Sequence, residues 1–365
     1  MEIPLSPFAS NHPAVMQPTT DYPLLRLAHL RTLTNNSGII QHGWFSMPNE
    51  QTGYCTDDNC RAFLCAVQAY RQLPDPELLR LIGIYLSFLR AAQNERGSFR
   101  NFMSFAQFFL DDEGSEDCVG RTLWALGYAM RFPPHDRIGS ICTELFEPAF
   151  TWLPSLGNTR GWAYSILGLR NYHLARPDDK RAVEMTDRLA SNLVAKWDGY
   201  ATEKWPWFAG RLTYANGVPP MALLLAHEVT GKARFREVGL RTLDFLTDVL
   251  IRDGVMVPVG CSGWYSKGRK RNDWDQQGID PAGMVGAYLT AYRITGDSGY
   301  RDLATISYEW FLGRNLLGTT LVDPVTGGCC DGLTENGPNE NQGAESSLVY
   351  YLASMTLRRN EPLTL

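Results

Sequence analysis

The sequence predicts an all-α protein, an (α/α)6 toroid of six helical hairpins whose inner helices are entered from long loops on one face. Three observations predict it. A helix-start signal is written at least twice: Ser115-Glu116-Asp117-Cys118-Val119-Gly120-Arg121 opens one apolar run and Thr56-Asp57-Asp58-Asn59-Cys60-Arg61 opens another, and aligning Asp57 with Asp117 also aligns Arg61 with Arg121. Helices entered from long loops then begin near 57, 117, 160, 215, 280 and 343, a spacing of roughly 45 to 65 residues that suits a repeated hairpin. These six are rich in small and apolar residues, whereas the six that follow short Pro, Gly and Asp turns are amphipathic. The first set belongs inside the ring and the second outside.

Taken in order, residues 1 to 20 are rich in Pro, Ser, Thr and Asn and read as an irregular arm. A single toroid domain is expected over 21–358, with a tail over 359–365. Helical periodicity runs over 22–36, and polar segment 37–56 leads to a helix over 57–71, where Asp57 and Asp58 suit the positive end of the helix dipole. Pro74 and Pro76 turn into a helix over 77–93. Loop 94–115 ends in Ser115, which accepts the free N–H groups of a helix over 116–131, and Pro133-Pro134 turn into 136–153. Helices over 160–174 and 178–197 follow, separated by Pro177. Loop 198–214 enters 215–230, whose Pro219-Pro220 are tolerated in a first turn, and Gly231 turns into 232–252. Loop 253–279, with a small hairpin expected at 255–263, enters 280–295; Gly296-Asp297 turn into 298–315, and loop 316–342 enters a last helix over 343–358. An open superhelix of helix pairs is the alternative, and it would need capping repeats.

Composition excludes some functions. Net charge is −5 with both signs spread along the chain, so no electrostatic footprint for nucleic acid exists. The first residues lack an apolar signal segment, and no run approaches the roughly 18 apolar residues of a membrane span, which predicts a soluble, cytoplasmic protein. Eight cysteines with no C-x-x-C pair read as buried reduced thiols, with the adjacent Cys329-Cys330 the pair to watch. No metal-ligand spacing is present, and no cofactor is expected.

In a toroid of this kind the long loops share one mouth. They carry Trp44, Trp205, Trp207 and Trp264, which suit either a packed lid or stacking on sugar rings. The same loops and helix starts gather Asp57, Asp58, Glu116, Asp117, Asp275, Asp280 and Glu345. Cleaving a glycosidic bond needs one protonated carboxyl and one ionised carboxylate, so the acids expected to be catalytic are one of Glu116 or Asp117 with one of Asp58 or Asp275. Asp57 with Arg61, and Asp117 with Arg121, stand four apart and can pair along one helix face, the structural reading of these residues. On repetition alone, Glu116 is the acid left over, because Thr56 stands in its place in the other copy. Expected substrate contacts are Asp57, Arg61, Arg121, His42, the four tryptophans, Gln276, Gln277, Asn341, Gln342 and Glu345. Lys267, Arg269 and Arg271 are either a solvated basic tip or a subsite for phosphate or an anionic sugar. His42 is the sole histidine in a mouth loop, which fits poorly with an epimerase that uses a pair.

The set TDDNCRA, GSEDCVGRTLWALG, EKWPWF, DQQGIDPA and GGCCDG with NENQGAESS resembles a family of bacterial and archaeal (α/α)6 proteins labelled glycosyltransferase-like or six-hairpin glycosidase-like. The resemblance spans about 50 to 358 and implies cytoplasmic carbohydrate metabolism, on a scaffold shared with unsaturated glucuronyl hydrolases and mannosidases. The expected activity is hydrolysis of a short oligosaccharide or glycoconjugate, with inversion if the two carboxyl groups stand roughly 6.5 to 9.5 Å apart. A phosphorylase or transferase is the alternative, and a non-catalytic glycan-binding partner of a glycosyltransferase is the alternative of another class.

Overall fold

The computed structural model describes residues 22–358 and the backbone of Leu363–Thr364. The arm expected over 1–20 and most of the tail expected over 359–365 lie outside the described residues. The helices are α1 (Ala28–Leu33), α2 (Thr56–Gln72), α3 (Pro76–Ala92), α4 (Glu116–Arg131), α5 (Asp136–Phe146), α6 (Ala149–Trp152), α7 (Thr159–Ala175), α8 (Arg181–Tyr200), α9 (Val218–Thr230), α10 (Ala233–Leu250), α11 (Ile279–Thr295), α12 (Ser298–Glu309) and α13 (Ala344–Leu357).

Helices α2, α4, α7, α9, α11 and α13 pack in succession, and α13 returns to α2, which closes the ring. The outer helices α3, α5, α8, α10 and α12 pack on α2, α4, α7, α9 and α11 in turn, while α1 packs on α13, so the two ends of the chain build the sixth hairpin. Side-chain patterns explain the layers. Helix α9 is buried at every position from Val218 to Ala226, whereas α8 buries one stripe, Ala182, Thr186, Leu189, Ala190, Leu193, Val194 and Trp197.

Three elements differ from expectation. The helix expected over 136–153 breaks after Phe146, because Pro148 and Pro154 each remove an N–H donor; α6 and a short 3₁₀ turn, Leu153–Ser155, replace its second half. The first outer helix shrinks to α1, since Leu25–Arg26 instead pairs in parallel with Leu363–Thr364. The small hairpin lies earlier than 255–263: Ile251–Arg252 pairs with Val255–Met256 across Asp253 and Gly254, whose φ values of 51° and 75° suit the primed turns that match strand twist. Among the described residues, no helix is long and apolar enough to cross a membrane.

The closest seam of the ring is between α4 and α7. Gly120 and Gly127 on α4 stand seven apart, as do Gly161 and Gly168 on α7, so each pair lies on one face two turns apart. A Cβ at Gly127 would sit 2.5 Å from the Gly168 carbonyl oxygen, and one at Gly168 would sit 2.6 Å from that of Leu123. Both obstacles are backbone and cannot step aside. Gly168→Ala is therefore expected to lower stability by about 1 to 3 kcal/mol through overpacking. Gly83→Ala is the control, because nothing lies within 4 Å of its Cβ position. It should raise stability by about 0.4 to 1 kcal/mol. Denaturant melts of the two variants check both signs.

Candidate active site

The mouth is organised by a belt of charges and amides that passes from one inner helix to the next. Arg61 on α2 donates to Asp58 Oδ1 (3.0 Å) and to Glu345 Oε2 (2.8 Å) in the first turn of α13. Arg121 on α4 donates to Asp57 Oδ2 on α2 (2.8 Å) and stands 3.9 Å from Asp117 Oδ2 on its own helix. Asp117 Oδ2 also accepts from Arg160 Nε at the start of α7 (2.7 Å) and from the Tyr214 hydroxyl (2.9 Å). Arg160 lies over the Tyr214 ring at 3.9 Å and donates to Thr213 Oγ1 at 3.1 Å. Asn216, before α9, donates its backbone N–H and its amide to Asp280 Oδ1 on α11, at 2.8 and 3.1 Å. Among the described residues, five of the six junctions between successive helix starts are thus bonded, with negative carboxylates at positive helix ends.

Asp57, Asp117, Arg121, Glu345, Tyr214 and Trp264 line a common cleft of about 470 Å³, completed by Ser115, Cys261, Gln277 and Ile279. Carboxylates from three helices, α2, α4 and α13, therefore face one space. Their environments differ. Burial pushes Asp58 up to about 6, Glu345 adding to the rise while Arg61 opposes it. Burial would also raise Asp57, but the Arg121 and Arg61 charges outweigh it and hold Asp57 below its ordinary value. Asp280, 1 % exposed, is pushed up to about 7 by burial against the opposing bonds from Asn216. Burial, then the Asp117 charge, raises the Tyr214 hydroxyl.

Several predicted residues lie elsewhere. Of the two pairings expected within helices, Asp117 with Arg121 is present at 3.9 Å, though Arg121 makes its shorter bond to Asp57 of the preceding inner helix, whereas Arg61 takes Asp58 and Glu345 rather than Asp57. Glu116 accepts the backbone N–H groups of Gly157 (2.9 Å) and Asn158 (2.7 Å), so its carboxylate fastens the loop that enters α7. Repetition singled it out because that loop is particular to one hairpin. Asp58 is buried behind Arg61, and Asp275 is exposed, with φ 52°, outside the cleft lining. Trp205 and Trp207 are core residues against Phe245, Trp205 meeting it at 5.2 Å and Trp207 at 6.3 Å. Gln276 is buried and bonded to Trp310 Nε1 (2.8 Å) and to the Asp273 carbonyl (2.9 Å). Arg271 is turned inward onto the Val249, Val257 and Pro258 carbonyls and pairs with Asp273, so it is no part of an anion subsite, whereas Lys267 and Arg269 are exposed at the tip.

At the α13 side of the mouth, Asp331 accepts from Ser346 Oγ (2.8 Å), the Gly343 N–H (3.2 Å) and the Asn341 amide, and His42 Nδ1 stands 3.6 Å away. His42 is raised by its bond to Asp331, against burial. Asn341 also accepts the Gly43 N–H at 2.7 Å, which ties down the hairpin that exposes Trp44. The Gln342 carbonyl bonds His29 Nε2 at 2.8 Å. All eight cysteines are free, and Cys329, like Cys60, Cys65 and Cys118, is a buried thiol raised by burial.

Sequence reading missed Arg160, Tyr214 and Asp331. Arg160 left a signal: a cation in a helix's first turn opposes the dipole and needs a carboxylate nearby. Tyr214 and Asp331 left none.

No protein-family model matches this sequence, and no curated protein does. Solved structures do match in fold. A sugar epimerase from a ruminal bacterium superposes with a TM-score of 0.70 at 14% identity, covering 90% of this chain and 95% of its own. Cellobiose 2-epimerase from Bacillus thermoamylovorans gives 0.70 at 13%, over 91% and 95%. An inactive variant of the GH76A α-1,6-mannanase of Salegentibacter, two consecutive aspartates replaced by Asn, in complex with α-1,6-mannotriose, gives 0.62 at 12%, over 92% and 97%. The chain has the (α/α)6 toroid fold.

The two raised aspartates set a pH dependence. A carboxyl whose folded pKa lies above its unfolded value contributes stability that is present at low pH and lost as pH rises through the folded value. With Asp58 near 6 and Asp280 near 7 against an ordinary value near 4, folding stability should fall between about pH 4 and about pH 7. Asp280→Asn keeps an oxygen for Asn216 and carries no charge, so chemical denaturation at several pH values should show a shallower fall for this variant than for the parent.

Proposed function

We propose that the protein is a glycoside hydrolase acting on a short oligosaccharide or glycoconjugate in the cleft between α2, α4 and α13. The observation that carries this reading is the meeting of Asp57, Asp117 and Glu345 on one cleft walled by Tyr214 and Trp264. Aromatic faces stack on the apolar faces of sugar rings, while the carboxylates supply proton transfer. Asp117, held by Arg160, Tyr214 and Arg121, is the ionised carboxylate that activates water or attacks the anomeric carbon. Asp58 and Glu345 share the single Arg61 guanidinium, which leaves that group one negative charge in excess. Glu345 is the member of that group in the cleft and takes the role of general acid to the leaving oxygen. Asp57 and Arg121 are left to orient substrate hydroxyls, with Gln277 also in the lining. The fold is shared with the mannanase bound to mannotriose, which is in keeping with an oligosaccharide ligand, though a fold hosts many chemistries.

Epimerisation at the reducing sugar is the second reading, supported by the likeness to two sugar epimerases. Against it, His42 is the one histidine that the described mouth loops place beside the cleft acids. Proton NMR in D₂O separates the readings: hydrolysis creates new reducing ends, whereas epimerisation exchanges the proton at C2. Transfer to phosphate is separated by whether turnover needs added phosphate. Asp117→Asn and Glu345→Gln are each expected to lower kcat about 10² to 10⁴-fold, the usual contribution of a positioned acid or base. Trp205→Phe, a core change, should alter stability and leave kcat close to the parent. Full activity in folded Asp117→Asn removes that residue from the role.

A further inference from the structure

The end of the toroid opposite the mouth collects the last turns of the inner helices, and four arginines project there: Arg71 from α2, Arg131 from α4, Arg170 from α7 and Arg293 from α11. Cations are expected at helix C-termini, where they can bond the free carbonyls. These four do not use that option. Arg71 donates to the Tyr128 hydroxyl at 2.6 Å and lies 3.5 Å above the Phe132 ring. Arg131 has the Phe132 ring as its partner, at 4.6 Å, and no hydrogen bond among the described residues. Arg170 and Arg293 each present Nε to one carboxylate, Glu228 on α9, at 2.9 and 2.8 Å.

Glu228 therefore acts as a bracket. It fixes two guanidinium groups through their Nε atoms and leaves their Nη donors unused among the described residues. Four positive charges face one negative charge, an excess of three. The groups stand close enough to oppose one another: burial, then Arg170, Arg71 and Arg293, holds Arg131 below the ordinary arginine value. Arg170, with 18% of its side chain exposed, is the most enclosed, so its charge is poorly screened. Fixed, convergent and unspent guanidinium donors are the arrangement that recognises phosphate oxygens, since the planar fork donates two parallel bonds.

We propose that this closed end of the toroid is a binding site for a phosphate group, with Arg131, Arg170 and Arg293 donating to its oxygens and Glu228 orienting two of them. Arg71, anchored on Phe132 and Tyr128, adds charge at the rim. The site lies away from the sugar cleft, so binding here is separable from turnover.

The test uses the full chain and inorganic phosphate, by isothermal titration at constant ionic strength set with chloride. One saturable site is expected. Arg131→Met and Arg170→Met should each weaken binding by roughly tenfold to a hundredfold, the loss that accompanies one charge-assisted hydrogen-bonding group. Arg131→Lys keeps the charge and loses the fork, and should fall between. Lys267→Ser, at the tip beside the mouth, should leave the affinity unchanged. Absence of saturable binding to the parent overturns the proposal. So does parental affinity in a folded Arg131→Met variant, or loss of binding in Lys267→Ser alone, which would move the phosphate to the mouth. Methylphosphate as a second titrant distinguishes the source: affinity kept on one blocked oxygen fits a phosphoester, and affinity confined to the free ion fits inorganic phosphate.

Discussion

The shared guanidinium is the interaction on which the mouth depends. Arg61 serves Asp58 and Glu345, and Arg121 serves Asp57 with Asp117 nearby, so each arginine joins a carboxylate of its own helix to one of a neighbouring inner helix. Both arginines are almost fully buried. Removing one partner of a buried pair strands a charge and costs about 3 to 5 kcal/mol, which makes the belt self-enforcing. A ring of six hairpins has no strand ladder to lock its register, and this belt supplies a lock at one end. The glycine seam between α4 and α7 supplies another along its length, by letting two backbones touch.

The same arrangement divides labour among acids that look alike. A carboxylate that accepts two backbone N–H groups, as Glu116 does, is committed to holding a loop. One that meets a guanidinium and a phenol, as Asp117 does, is fixed in the cleft lining. Asp58, which shares one guanidinium with Glu345, is buried and pushed up by that burial. Environment rather than residue type separates these roles.

Much of the fold was legible because it is periodic. The six inner helices were placed by their long entry loops, small-residue content and starts near 57, 117, 160, 215, 280 and 343, and they begin at Thr56, Glu116, Thr159, Val218, Ile279 and Ala344. Proline in the outer layer was less legible: Pro148 splits a helix whose apolar spacing continues through it. The site was legible in part. Asp57, Asp117, Arg121, Trp264, Gln277 and Glu345 do gather on one cleft. Contacts between hairpins were not, because sequence repetition compares a helix with its copy and is blind to its neighbour in the ring. That is why the repeat shows the Arg121–Asp117 pair and not the shorter Arg121–Asp57 bond, and why Glu116, an exception to the repeat, reads as catalytic when it fastens the next loop.

The central claim is that a glycosidic bond lies between Asp117 and Glu345. Soaking crystals of the folded Asp117→Asn variant with a panel of short oligosaccharides tests it most directly. The account predicts a sugar stacked on Trp264 or Tyr214, with a glycosidic oxygen within hydrogen-bond reach of Glu345 and its anomeric carbon facing residue 117. A sugar bound with its glycosidic oxygen away from both residues would contradict it.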